Sequence, residues 1–308
     1  MRVFILVFVS LVFILLIVQN KKHPQVILNS PIDRVLHPTD TRLRYKISEI
    51  DSRFNISHER AIQLSQEAAA IWTAGTGKEF FIYDPKAKLT INFHYDERQK
   101  DSSARLVHHK NIQNEQTQWE AKNNEVNSLR NEIDRINALL NAKKIEYETQ
   151  VQNHNQQIAH INQNGGAHAS QREAFNQQRV FLEQKLQNLK FEIDSYNSKI
   201  HQLNMQVDEL NQINQNINAS IQHFNSKFKP YLFDKGNFDG RNINIFEFQS
   251  EDDLRLTLAH EFGHALGLKH HEDPKGLMHP MMQDQEQTNF RLLHSDLVLF
   301  KNRAYSKE

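Results

Sequence analysis

The 308-residue sequence contains no cysteine. This absence excludes disulfide bonds, thiolate zinc sites and cysteine nucleophiles. An excess of one charge is also lacking, because 37 Lys and Arg residues balance 37 Asp and Glu residues. No net field attracts a polyanion, so we expect no nucleic-acid partner. Proline and glycine are scarce, with seven and nine residues, and their positions divide the chain.

Residues 86–229 contain no proline, and the only glycines in residues 105–228 are the adjacent Gly165 and Gly166. This pattern predicts two helices joined by a turn. Apolar or aromatic side chains recur there every seven residues, which is typical of a left-handed coiled coil. They are Trp119, Val126, Ile133, Leu140, Tyr147, His154 and Ile161 on the first arm, and Phe175, Leu182, Leu189, Tyr196, Leu203, Leu210, Ile217 and Phe224 on the second.

We therefore predict an antiparallel coiled-coil hairpin over residues 105–228. Two chains paired in parallel are the less favoured alternative, because the Gly-Gly step is central. The hairpin would serve either as a rigid stalk or as a surface that binds a protein partner. The sequence does not choose between these two roles.

An apolar run covers residues 3–18 and is interrupted only by Ser10. A helix of this length rises ~24 Å, slightly less than the ~30 Å hydrocarbon core of a bilayer. The run ends in QNKK without a small-residue cleavage site. We predict a membrane anchor over residues 1–20, with a cleaved signal peptide as the alternative. Either segment would place the protein outside the cytoplasm, in the periplasm or at the cell surface, anchored in the first case and secreted in the second.

The segments on either side of the hairpin, residues 21–104 and 229–308, look like one globular domain split in two. Before the hairpin, an amphipathic helix begins at the cap Ser57 and is predicted to stop at Gly75. A strand pattern follows in KLTINFHYDER, and another in RNINIFEF after the hairpin. Ser250 and the three acidic residues after it open the next helix.

That helix carries HEFGHALGLKH, which starts at His260. On a helix, His260 and His264 lie one turn apart on the same face. Gly267 lets the chain leave the helix in a left-handed conformation and bring His270 back toward them. Three protein ligands with a fourth position left for water are the arrangement of a catalytic zinc site. The predicted metal is Zn²⁺, with His260, His264 and His270 as ligands.

Glu261 is the predicted general base. It lies beside the first ligand on the helix, near the metal but not directed at it. Zinc lowers the pKa of its water toward ~7, and a carboxylate in this place can take the proton and pass it to a leaving amine. This chemistry hydrolyses a peptide bond.

The motif of residues 260–270 resembles the extended motif of the metzincin zinc peptidases. GLMHP, with Met278 and Pro280, resembles the methionine turn of matrixins, and RFNIS, NINIFEF and LLHSDLVLF are similar to segments of bacterial matrixin-like domains. The resemblance implies an α+β fold, a metzincin-like domain of twisted sheet and helices interrupted by the hairpin. The sequence departs from many matrixins at His271, where they have serine.

The resemblance also implies a zinc-dependent endopeptidase that acts on peptide or protein substrates. The alternative is a membrane-tethered coiled-coil adaptor or scaffold with a non-catalytic peptidase-like base. No second zinc is expected, because the family's structural zinc and calcium loops fall where the hairpin is inserted. Asp234, Asp239 and Gly240 could form a calcium loop, although a solvated turn is favoured over it.

Overall fold

The computed structural model describes residues 2–229, 233–281 and 285–302, without the side chains of residues 2–8 and 22. The chain forms two compact units, one made of Met1–Val107 and Phe228–Glu308 and the other of His108–Lys227. Its helices, in chain order, are α1 (Arg2–Lys22), α2 (Pro31–Leu36), α3 (His58–Thr76), α4 (Glu97–Gln163), α5 (Ala169–Lys227), α6 (Glu251–Ala265) and α7 (His294–Asn302), with short 3₁₀ turns at Pro24–Leu28 and Ser52–Phe54.

The first unit contains a five-stranded mixed sheet. Its strands are β1 (Leu43–Ile47), β2 (Phe81–Tyr83), β3 (Leu89–Phe93), β4 (Gly236–Phe238) and β5 (Asn242–Ile245), in the spatial order β2-β1-β3-β5-β4. β4 is antiparallel to β5, whereas the other neighbours are parallel. In β1 and β3 every second side chain is buried, as alternating polarity predicts. The two halves of the predicted split domain therefore contribute strands to one sheet, since β3 from the first half pairs with β5 from the second.

Helix α3 begins as the sequence predicts, because the Ser57 side chain accepts a hydrogen bond from the Arg60 backbone N–H at 3.1 Å. The predicted stop at Gly75 was wrong. The helix runs to Thr76 and is capped by Gly77, which has a left-handed φ of 72°. Gly75 serves packing instead, since a β-carbon there would lie 2.6 Å from Leu292 Cδ1.

Helix α6 packs against α3 and against strands β4 and β5, and it is buried along most of its length. Its first turn is capped by Ser250, whose hydroxyl accepts from the Asp253 N–H at 3.1 Å, which confirms the predicted start. Trp72 of α3 donates its indole N–H to the Ala259 carbonyl at 2.8 Å. On the sheet side, the Phe262 ring stacks on Phe81 with centroids 4.1 Å apart. These contacts fix the helix that carries the histidine motif.

Helix α1 contacts α2 and the turn before it through the C-terminal end of α1. The buried Arg34 guanidinium donates from Nη2 to the Leu16 carbonyl at 2.8 Å and to Asn20 Oδ1 at 2.7 Å. No helix in the described part of the chain is long and apolar enough to cross a bilayer. The anchor over residues 3–18 stays a prediction, and the side chains of residues 3–8 lie outside the described set.

The second unit is a pair of helices formed by residues 108–163 and by α5. They are joined through Gly165 and Gly166, whose φ angles of 97° and 92° are left-handed. Ion pairs link the two helices, and residue numbers that increase along the first helix are paired with residue numbers that decrease along the second. The two helices are therefore antiparallel. They include Lys122–Glu209 at 2.6 Å, Lys143–Glu192 at 2.5 Å and Lys199–Glu132 at 2.9 Å.

Burial in this helical pair follows the predicted heptads. The buried side chains are Val126, Ile133, Leu140 and His154 on the first helix and Leu182, Leu189 and Ile217 on the second. All belong to the seven-residue series found in the sequence. The structure therefore contains a helical hairpin whose packing is compatible with a coiled coil.

Candidate active site

The three histidines of the motif are brought together by the end of α6 and the turn after it. His260 and His264 are one turn apart on α6. The Gly267 N–H donates to the His264 carbonyl at 2.8 Å, and the Leu268 N–H donates to the Gly263 carbonyl at 3.0 Å. Gly267 itself has a φ of 87°, a conformation that a β-carbon would penalise. The chain then turns back and places His270 beside the helix.

The three Nε2 atoms form a nearly equilateral triangle. His260 and His264 are 3.1 Å apart at these atoms, and each is 3.2 Å from His270 Nε2. Two imidazole ligands of one tetrahedral zinc, each at ~2.0–2.1 Å, lie ~3.3 Å apart. Within the described residues, this cluster is the one group of histidine and acidic side chains with the spacing of a metal site.

Hydrogen bonds on the far side of two rings determine which nitrogens face the centre of the triangle. His260 Nδ1 lies 2.6 Å from the Leu277 carbonyl, and His264 Nδ1 lies 2.8 Å from the Leu268 carbonyl. A carbonyl oxygen only accepts, so both protons are on Nδ1 and both Nε2 atoms present lone pairs. Two facing lone pairs 3.1 Å apart repel each other unless a cation lies between them. The donor set therefore fits zinc.

Burial keeps these rings neutral. It lowers the pKa of His260 to about 3, with the neighbouring His264 as the next cause. Burial also lowers the pKa of His264 and, to the extent that it is covered, that of His270. Neutral imidazole is the form that binds a metal. The site is thus in its ligand form at neutral pH.

Glu261 is buried beside this triangle. Burial, with the charge of Asp234 as the second cause, raises the pKa of its carboxyl to about 8, although a hydrogen bond from the Phe238 backbone acts in the opposite direction. Oxygen Oε2 has no hydrogen-bond partner among the described residues. Strand β4 lies against Oε1, because a β-carbon on Gly236 would be 3.1 Å from it. A carboxyl in such a place is suited to exchange protons near neutral pH.

Met278 is fully buried below the motif helix. A β-carbon on Gly263 would overlap the Met278 sulfur and would lie 2.8 Å from Trp72 Cζ2. The methionine thus packs directly against the helix backbone between His260 and His264. Pro280 follows two residues later at an exposed position.

The sequence did not identify several residues that hold the site. The missing side chain at Gly263 leaves room for Met278, and the carbonyls of Leu277 and Leu268 fix the rings of His260 and His264. The fully buried Asp296 of α7 accepts the Met278 N–H at 3.0 Å. The one available signal was Asp296 itself, an acid directly before the apolar run LVLF.

The carboxylate at Asp239 is used in the β4–β5 turn. Its Oδ1 accepts the N–H groups of Arg241 and Asn242 at 2.8 and 2.7 Å, and these hydrogen bonds lower the pKa of Asp239. Gly240 in the same turn has a φ of 90°. This geometry is that of a tight turn, and it gives the calcium loop suggested for Asp234, Asp239 and Gly240 no support.

The family profile described as Matrixin matches residues 37–302. The chain belongs to the matrixin family. This membership confirms the resemblance and implies a metzincin α+β fold and zinc binding. The cluster of three histidines in this matrixin is compatible with a zinc site.

Curated relatives align with shorter segments. This matrixin is 40% identical to human matrix metalloproteinase-16 over 75 residues, which is 24% of the chain and 10% of that protein. It is 48% identical to human neutrophil collagenase over 44 residues, 14% of the chain and 9% of that protein. For the chicken 72 kDa type IV collagenase the values are 52% over 44 residues, 14% and 6%. The chain therefore spans about a tenth or less of each of these relatives.

Proposed function

We propose that this matrixin is a zinc-dependent endopeptidase that hydrolyses peptide bonds in peptides or proteins. The observation that carries the proposal is the convergence of the Nε2 atoms of His260, His264 and His270. Backbone carbonyls keep the protons of the first two rings on Nδ1, so that their Nε2 atoms present lone pairs. Family membership supports the same activity. The printed names of the relatives describe a metalloproteinase and collagenases, and apply to those proteins.

His260, His264 and His270 would hold the zinc ion. When bound, zinc supplies a Lewis acid that polarises the scissile carbonyl and makes the attacking water more acidic. Glu261 accepts the proton of that water at its unpartnered Oε2 and delivers it to the leaving amine nitrogen. Burial of Glu261 under β4 excludes bulk water from this proton transfer.

The test compares Glu261→Gln with a matched control, Glu272→Gln, at an exposed position two residues after the third ligand. We expect Glu261→Gln to lower kcat/KM on a broad peptide library by about 10²–10⁴-fold, the contribution of a general base. Zinc content should stay at the wild-type level in both variants, and the control should keep its activity. Retained activity in Glu261→Gln would disprove its role.

The predicted adaptor defines another outcome of the same experiment. A wild-type protein that binds zinc and cleaves nothing in the library would favour the membrane-tethered scaffold over the endopeptidase. A wild-type protein that binds no zinc in zinc-replete buffer would remove the basis of the proposal.

We also propose that the protein acts outside the cytoplasm, tethered through residues 3–18 or secreted after cleavage. The support is the apolar composition of this segment. Fractionation of cells, protease treatment of intact cells and N-terminal sequencing of the mature protein test it. A full-length chain in the soluble cytoplasmic fraction would contradict both forms. A protein partner for the helical hairpin likewise stays a proposal.

A further inference from the structure

His270 differs from the other two ligands in how its ring is held. His260 is buried and His264 half-buried, whereas His270 is exposed. The Nδ1 atoms of the first two are fixed by carbonyls, but His270 Nδ1 has no such partner within the described ranges. Hydrogen bonds to the second nitrogen normally orient metal-binding histidines. The position of His270 must therefore depend on its backbone.

The backbone on both sides of His270 is fixed. Before it, the Leu268 carbonyl accepts the proton of His264 Nδ1 at 2.8 Å. After it, the His271 N–H donates to the Met278 carbonyl at 3.1 Å. His271 therefore joins the third ligand directly to the methionine turn.

The His271 side chain has a single arrangement in this loop. Its Nδ1 accepts the Asp273 N–H at 3.2 Å. That nitrogen is therefore unprotonated, and Nε2 donates to Asp296 Oδ1 at 2.8 Å. The ring also fills the space beside Gly276, where a β-carbon would overlap it. Both ring nitrogens thus have partners, and ring atoms Cε1 and Nε2 also lie next to Gly276.

Asp296 connects this ring to the floor of the site. Its carboxylate is fully buried on α7. It accepts the Met278 N–H at 3.0 Å, and its other oxygen accepts the Leu293 N–H at 2.9 Å. His271, Asp296 and Met278 consequently form a closed connection, in which His271 bonds Met278 through its backbone and again through the carboxylate.

We propose that His271 is a positioning residue that sets the place of the third zinc ligand, His270, through Asp296 and the Met278 turn. It replaces the orienting hydrogen bond that the His270 ring lacks. The inference rests on the proposed zinc site. A residue that only stabilised the domain would affect unfolding without selectively affecting zinc binding.

Two substitutions separate the two nitrogens of His271. Glutamine can reach the place of Nε2 and donate to Asp296, whereas asparagine reaches only the place of Nδ1, near the Asp273 N–H. His294→Asn, at an exposed histidine two residues before Asp296, is the matched control. Zinc affinity of the full chain is measured by competition with a chromogenic chelator, and Co²⁺ absorption reports the coordination geometry.

We expect His271→Asn to weaken zinc binding by about 10–100-fold, the effect of losing an orienting contact behind a ligand. The Co²⁺ spectrum of His271→Asn should change, while His271→Gln should restore affinity to within about threefold and the control should match the wild type. Wild-type affinity in His271→Asn would overturn the inference. Equal losses in both variants, with the same fall in the melting temperature of metal-free protein, would also overturn it in favour of a structural role.

Gly276→Ala provides a second variant if His271→Asn does not fold, since it displaces the ring without removing it. It should weaken zinc binding in the same direction, and unchanged affinity would count against the inference. The two proposals fail separately. A wild type that binds zinc without cleaving peptides contradicts the endopeptidase but leaves the role of His271 measurable. Normal hydrolysis with unaltered zinc affinity in His271→Asn contradicts only the role of His271.

Discussion

The hairpin of residues 108–227 repeats one packing pattern along its length, whereas the histidine site depends on single contacts between distant segments. Val126, Ile133 and Leu140 are buried at successive heptad positions of the hairpin. In the other unit, Trp72 holds the carbonyl of Ala259, 187 residues away. A repeated pattern loses little when one member changes, because its neighbours make equivalent contacts. In a site built from unique contacts, no equivalent contact replaces one that is lost, so substitutions there should strongly reduce stability or activity.

Metal removal should have the largest effect, and it should affect only the domain that contains the histidine site, not the hairpin. Chelation is expected to abolish peptide hydrolysis, and added zinc to restore it. Zinc at 100 times its Kd stabilises the folded domain by about 2.7 kcal/mol, so the metal-free protein should unfold at lower temperature. Calorimetry with helicity measured in parallel tests this. The helical signal of the hairpin should not shift, and a shift of equal size would contradict the separation of the two regions.

Gly263→Ala should be the most damaging small substitution. Its β-carbon overlaps the Met278 sulfur, and overfilling a packed core costs about 1–3 kcal/mol. Denaturant unfolding of the domain and peptide hydrolysis should both reveal the defect. Gly165→Ala is the matched control in the hairpin, where a β-carbon meets nothing within 4 Å. Its left-handed φ of 97° should cost about 1–2 kcal/mol in the hairpin and leave hydrolysis unchanged. Equal losses of activity would contradict the comparison.

The same difference explains what the sequence could predict. Periodicity is local, so the heptads, the strands at Leu89–Phe93 and Asn242–Ile245 and the cap at Ser250 could be inferred. The spacing of residues 260–270 predicted that the three histidines come together, because one helix and one glycine turn determine their positions. The role of Gly75 could not be inferred, because glycine is needed there to make room for the side chain of Leu292, which lies 217 positions later in the sequence. Asp296, Gly263 and the carbonyls behind the rings depend on tertiary contacts in the same way.

Removing one ion pair of the hairpin should have a small effect. Lys199 and Glu132 are 2.9 Å apart, with side chains 33% and 53% exposed. Pairs this exposed contribute about 0–1 kcal/mol. Lys199→Met should therefore change the unfolding free energy of the hairpin by no more than this. High salt should reduce the difference from wild type further, because it screens exposed charges. A loss above about 2 kcal/mol, well outside the range of exposed pairs, would show that the hairpin is less redundant than its repeat suggests.

Replacing the hairpin should affect small-peptide hydrolysis least of all. Its ends are close, since Arg105 donates to the Lys229 carbonyl at 2.6 Å, so a short Gly-Ser linker can join residue 107 to residue 228. His260, Glu261 and His270 all remain in the retained unit. We expect kcat/KM on short peptides to change by less than about threefold, under about 0.7 kcal/mol. Zinc content is the accompanying measurement, with Glu261→Gln in the shortened chain as the inactive control. Loss of zinc binding would show that the split domain needs its insertion to form the site, whereas normal peptide cleavage with impaired cleavage of a protein substrate would assign substrate or partner binding to the hairpin.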